Sequence, residues 1–176
     1  MVQSREASVP TTTSRSKTKK VKKPKPIPSN IRQKALSSFQ KLRRAEEANA
    51  DGMVRCISCG KVMDWRESQG GHYIPRGVTA TELEPDNVNP QCPRCNGPLN
   101  GNYICYRMGL VNKIGEERVQ RLEHMMEAYR ANYSDCEAME LLSAEDRASM
   151  TQTKGKVYYK EKYDSYRKRL KEMNIV

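Results

Sequence analysis

Large apolar side chains are scarce in this chain: 176 residues contain one Trp and one Phe, and hydrophobic residues make up only 36% of the total. A large apolar core is excluded. No run of 18 apolar residues occurs and no apolar stretch opens the chain, which argues against a membrane span and a secretory leader and points to the cytoplasm. Negative charge is in the minority, with 21 Asp and Glu against 32 Lys and Arg, for a net charge of +11 and a pI near 9.5. The partner such a balance attracts is a phosphate polyanion, nucleic acid first of all. Histidine occurs twice, as His72 and His124, and cysteine is missing from the first 50 residues.

The length fits one modest domain with tails. Residues 1–29 are rich in Ser, Thr, Pro and Lys and carry eight basic side chains against the single Glu6. They read as a disordered basic arm that adds affinity for a phosphate backbone without reading sequence, or as a solubilising tail. A basic helix over residues 30–50 follows, with Ser29 or Asn30 as its cap and Ile31, Ala35, Leu36, Phe39 and Leu42 as a thin apolar face.

With so little apolar material, something else must staple the fold. Cys56 and Cys59 form one Cys-x2-Cys pair and Cys92 and Cys95 a second, 32 residues apart. Four thiolates make a closed tetrahedral site for a structural Zn2+. The spacing exceeds that of a plain zinc ribbon and leaves room for a hairpin, one strand over Val62 to Trp65 and another over residues 70–76, with His72 near the start of the second. A short helix is expected to begin near Pro93. Asn96 and Asn100, four apart, then share one helix face and offer amide oxygens to a hard cation.

Further on, Tyr106, Leu110 and Ile114 mark a helix that stops at Gly115, and Val119, Leu122, Met126 and Tyr129 mark its successor. Residues 134–148 are short, acidic and amphipathic. Tyr159, Tyr163, Tyr166, Leu170 and Met173 form a stripe on a last helix that docks on the body or pairs with a second copy. Trp65 reads as core, His124 as a packing or surface residue, and Cys105 and Cys136 as ordinary thiols. Arg107 and Lys113 can face phosphate.

The string Cys-x2-Cys, Gly-His-Tyr, Asp-Asn-Val, Cys-x2-Cys-Asn resembles the zinc-knuckled HNH (ββα-metal) nucleases in which the last histidine is asparagine. Residues Arg55 to Glu123, through GHY, NV.PQC..CN..L.GN and YR.GL...IG.E.V..LE, further resemble the lambdoid phage NinG (Rap) recombination proteins. The resemblance implies an α+β fold: an HNH-like (ββα-metal) finger stapled by a four-cysteine zinc knuckle and flanked by N- and C-terminal α-helices. It implies a nuclease domain over 51–131, a helical extension over 132–176, and cleavage of branched DNA such as D-loops and Holliday junctions in the bacterial host cytoplasm. The partners it implies are that DNA, phage or host recombination proteins, and a second copy of the chain, since a symmetric junction offers two strands to cut.

By the same resemblance, His72 is the general base, Asn87 braces its loop, Arg76 contacts the phosphate, and Asn96 with Asn100 holds a catalytic Mg2+ or Mn2+. Gly71 departs from the pattern, because many HNH nucleases place a metal ligand before the base. Asp64 and Asp86 are the candidate carboxylates, each also suited to turn chemistry. Two other readings stay open: a non-catalytic zinc-stapled DNA-binding or recruitment module, and a basic RNA-binding zinc protein, which leaves the spacing of His72, Asn87 and Asn96 unexplained.

Overall fold

In a computed structural model, residues 29–133 and 136–175 are described; most of the basic arm lies outside them. Helix α1 spans Ser29–Glu46, and two three-residue strands, β1 (Met53–Arg55) and β2 (Val62–Asp64), pair antiparallel. A second antiparallel pair joins β3 (Gln69–His72) to β4 (Val88–Gln91), with Gly71 opposite Asn89 and His72 opposite Val88. Then come α2 (Pro93–Asn96), α3 (Tyr103–Ile114), α4 (Glu116–Arg130), α5 (Glu137–Glu140), α6 (Ala144–Thr151) and α7 (Lys156–Glu172). No helix among the described residues is long and apolar enough to cross a membrane.

The pairing corrects the hairpin expected from the sequence. Val62–Asp64 turns back on Met53–Arg55 across the first cysteine pair, and the strand carrying His72 pairs instead with β4, on the far side of the loop that follows it. Both alternatives satisfy the same local alternation, and only long-range burial decides between them. The mixed helix-and-strand class is as expected, with the helix breaking at Gly115 between α3 and α4.

Apolar material is spread over four small clusters. Leu36, Phe39 and Leu42 of α1 meet Tyr159, Tyr166 and Leu170 of α7 together with Leu83 and Val88. Val54, Met63 and Trp65 surround the cysteines. Tyr73, Ile74 and Val78 meet α3 and α4 at Tyr106, Leu110, Val119 and Leu122. Ala80 meets Met125 of α4 with Leu142 and Met150. Each cluster includes at least one residue from the stretch that leaves β3 at Tyr73 and ends at Cys92, so that stretch is where the four cores join. The tyrosine stripe of α7 is therefore spent on α1, Phe39 and Tyr166 lying 5.0 Å apart.

Two cations expected to face phosphate are paired with carboxylates of the fold. Arg107 pairs with Glu123 (2.8 Å) and Glu116 (2.5 Å), and Lys113 with Glu47 (2.6 Å) and the Asn89 carboxamide (2.7 Å).

Helix α3 seats on the first cysteine loop at Gly109, where a Cβ would collide with the carbonyl oxygen of Ile57. Ala is the better helix former by about 1 kcal/mol, so a substitution that only touched propensity would stabilise. Gly109→Ala is expected instead to destabilise by about 1–3 kcal/mol, the usual range for overpacking, and to lower the midpoint of denaturant unfolding.

Candidate metal centre and histidine cleft

The chain brings the two cysteine pairs to one point. Their four sulfurs lie within 4.8 Å of one another, and those of Cys59 and Cys92 are 3.8 Å apart. A tetrahedral zinc with bonds of about 2.3 Å requires sulfur-to-sulfur edges of about 3.8 Å, so the donor set and its spacing fit. The local structure explains the convergence. Cys56 directly follows β1, its N–H donating to Lys61 O (2.8 Å) while its carbonyl accepts from Gly60 N (2.9 Å). Cys92 caps α2, its sulfur accepting from Cys95 N (3.4 Å). Burial pushes the Cys95 thiol up to about 12, although the Asn102 amide (3.5 Å) opposes it. A divalent cation reverses that balance by binding the thiolate.

Beside this cluster lies a cleft of about 690 Å3 in which His72, Arg76, Asn96 and Asn100 meet, with Arg44 of α1 also on its wall. Asn87, likewise singled out by the resemblance, does not line the cleft but is buried behind it. Its carboxamide accepts from Ile74 N (2.6 Å) and donates to Ile74 O (3.0 Å) and Thr81 O (2.9 Å). Tyr73 N donates to its carbonyl (3.0 Å). The two strands are thereby locked together just beyond His72, with every group of a buried amide satisfied.

Nε2 of the His72 ring lies 3.0 Å from the carbonyl oxygen of Glu82. A carbonyl has only lone pairs to offer, so Nε2 carries the proton and the neutral ring presents its own lone pair at Nδ1. Burial pulls the His72 pKa below its ordinary value, and the neighbouring Arg76 charge pulls the same way, against the Glu82 and Gly70 backbone groups and the Glu82 charge. The imidazole is therefore neutral at pH 7, in the state a proton acceptor requires.

Gly71 proves to be a packing residue. A side chain there would run into the buried carboxamide of Gln91, which donates to Ser58 Oγ (2.7 Å) and Gly101 O (2.5 Å). No ligand can be placed at that position without displacing Gln91. Asp64 accepts from Arg66 N (2.7 Å) in its own turn, and Asp86 pairs with Arg118; neither lines the cleft. The expectation that Asn96 and Asn100 share a helix face is corrected too. The helix ends at Asn96, and Asn100 sits in the following turn with φ 47°, yet both reach the cleft. Asn96 donates to Gln69 Oε1 (2.7 Å), leaving its carbonyl oxygen for a cation.

Tested by donor chemistry, the cleft fits a hard cation only partly. It supplies neutral amide oxygens, from Gln40, Gln69, Asn96 and Asn100, and no carboxylate lines it among the described residues, whereas Mg2+ is usually held through carboxylates and substrate phosphates. Sequence reasoning missed Glu82, Arg32 and Arg44. Arg44 ties α1 to the turn before β3 through Ser68 O (2.5 Å), and nothing in the local sequence marks any of the three as buried or paired.

A family model described as Bacteriophage Lambda NinG protein matches residues 2–155. Protein ninG of Escherichia phage 933W is 28% identical over 107 residues, 61% of this chain and 50% of that one. Protein ninG of Escherichia phage lambda is 27% identical over 107 residues, covering 61% and 49%, and that of Salmonella phage P22 is 26% identical over 107 residues, again covering 61% and 49%. The chain spans about half the length of the curated relatives it matches. No solved structure matches it.

Elemental analysis of freshly purified, reduced protein is expected to find one zinc per chain. Structural zinc in such sites contributes about 10–16 kcal/mol, so Cys95→Ser or prolonged chelation is expected to abolish the cooperative unfolding transition. A fully folded, zinc-free protein overturns the assignment.

Proposed function

This chain belongs to the NinG family of bacteriophage proteins, and on that premise we propose that it is a metal-dependent, structure-selective DNA endonuclease acting on branched recombination intermediates such as D-loops and Holliday junctions. One observation carries the reading: a neutral histidine, fixed at Nε2 by the Glu82 carbonyl, lines a cleft with Arg76, Asn96 and Asn100, over a strand pair locked by Asn87.

Phosphodiester hydrolysis needs an activated water, neutralisation of the phosphate and help for the departing oxygen. His72 Nδ1 takes the proton from the water. Arg76 contacts a non-bridging phosphate oxygen, where a guanidinium fork suits the geometry. Asn87 touches no substrate and holds the backbone from which His72 projects. Asn96 and Asn100 would hold a Mg2+ or Mn2+, which would supply positive charge to the leaving oxygen. The four cysteines would hold a structural Zn2+ and serve as scaffold.

A second reading, a zinc-stapled module that binds or recruits without cutting, is favoured by two features: no carboxylate among the described residues lines the cleft, and Gly71 has no side chain to offer a ligand, the space beside it being filled by Gln91. One experiment separates the two. Wild type and His72→Ala are incubated with branched and linear duplex DNA in Mg2+ or Mn2+. The nuclease reading expects wild type to cut the branched substrate and His72→Ala to lose at least about 100-fold in rate while still binding it. Binding without cleavage in either ion selects the second reading, and equal cutting by both proteins removes His72 from the base role.

The pH profile gives an independent check. The cleavage rate is expected to be level through neutral pH and to decline in acid, with its inflection below the ordinary histidine value of about 6.5, because burial favours the neutral ring. An inflection above about pH 7 contradicts the assignment.

A further inference from the structure

The loop between β3 and β4 contains a carboxylate that neither the zinc cluster nor the cleft uses. Glu82 is fully buried. Its Oε1 accepts from Tyr159 Oη of α7 (2.5 Å) and from Arg32 Nε of α1 (3.3 Å), and Arg32 Nη2 pairs with Oε2. The same Arg32 nitrogen reaches Arg76 O (3.1 Å). Lys154, just before α7, donates to Thr79 O (2.8 Å) and Ala80 O (3.2 Å). Residue 82 is thus tied through its side chain to two helices remote in sequence, and its main-chain carbonyl oxygen is the one that holds His72 Nε2.

A buried ion pair is a poor route to stability, since desolvation offsets most of its attraction. What it does supply is geometry. The planar guanidinium and the phenol fix the carboxylate from two directions, which leaves the Glu82 peptide little freedom to rotate. Tyr159 lies beyond residue 155, where the family match ends.

We propose that Glu82 is a positioning residue for His72, set by Arg32 and Tyr159, so that α7 reaches the candidate catalytic histidine through one buried carboxylate and one backbone hydrogen bond. This rests on the reading of His72 as the base, but the bond itself can be tested without DNA.

The experiment follows the His72 Hε2 proton by NMR in the full-length, zinc-loaded, 15N-labelled chain, with a His124→Gln sample to assign the two rings. In wild type the proton is expected to exchange slowly with solvent. Tyr159→Phe keeps the ring against α1 but removes the donor to Glu82. It is expected to speed Hε2 exchange at least about tenfold while the amides of β3 and β4 keep their wild-type rates. Branched-DNA cleavage is expected to fall about tenfold in kcat with KM unchanged. Arg32→Lys, on the more exposed first turn of α1, is expected to act in the same direction, and gives the answer if Tyr159→Phe fails to fold. Hε2 exchange unchanged in the folded variants, or accelerated only as much as the strand amides, overturns the proposal. Faster Hε2 exchange in a protein that never cuts DNA upholds the clamp and discards the nuclease reading instead.

Discussion

The convergence of four thiols on one point is the constraint the rest of this structure depends on. Strands of three and four residues do not stand alone in water, and an isolated two-stranded ribbon is marginal even when longer. Here each such ribbon ends at or beside a cysteine pair: β1 runs into Cys56, and β4 into Cys92. Joining the pairs fixes both ends of the intervening segment, and that segment then serves as the shared wall of four apolar clusters, none large. In a chain with one Trp and one Phe, the four thiols lie where a bound metal would join several small cores.

The second organising feature is the number of buried polar groups with complete sets of partners. Asn87, Tyr106 and Glu82 are each sealed from solvent, and each bonds main-chain or charged partners across elements: Tyr106 Oη donates to Gly71 O (2.9 Å) and accepts from Asn89 Nδ2 (3.3 Å). Such groups contribute modestly to stability but penalise every arrangement that leaves one unpaired. They bond to the strand that ends at His72 and to the loop that follows it, beneath the candidate base. The cleft above it stays polar and cationic, as suits a phosphate.

The separate fates of the basic residues follow from the same geometry. Arg32, Arg107 and Lys113 are taken up by carboxylates of neighbouring elements, and Arg44, on the cleft wall, by the carbonyl oxygen of Ser68. Arg76 belongs to an exposed loop and keeps its charge at the cleft.

Much of this was legible in the residues themselves. The cysteine pairs announced a tetrahedral donor set because thiolates close in sequence can wrap one cation, and the apolar spacing of α1, α3, α4 and α7 announced helices because a helical period gathers such residues on one buried face. The resemblance to the HNH nucleases singled out His72, Asn87 and Asn96, which lie in or directly behind one cleft. Tertiary structure alone decided which strands pair, because β2 and β4 compete for partners through contacts no local pattern encodes. It also decided that the space at Gly71 is filled from Gln91 and that Glu82, one acid among many in the sequence, is buried between two helices from opposite ends of the chain. The Cys-x2-Cys reading survived because metal chemistry depends on neighbours in sequence; the fate of Gly71 and Glu82 depended on neighbours in space, which only the folded chain supplies.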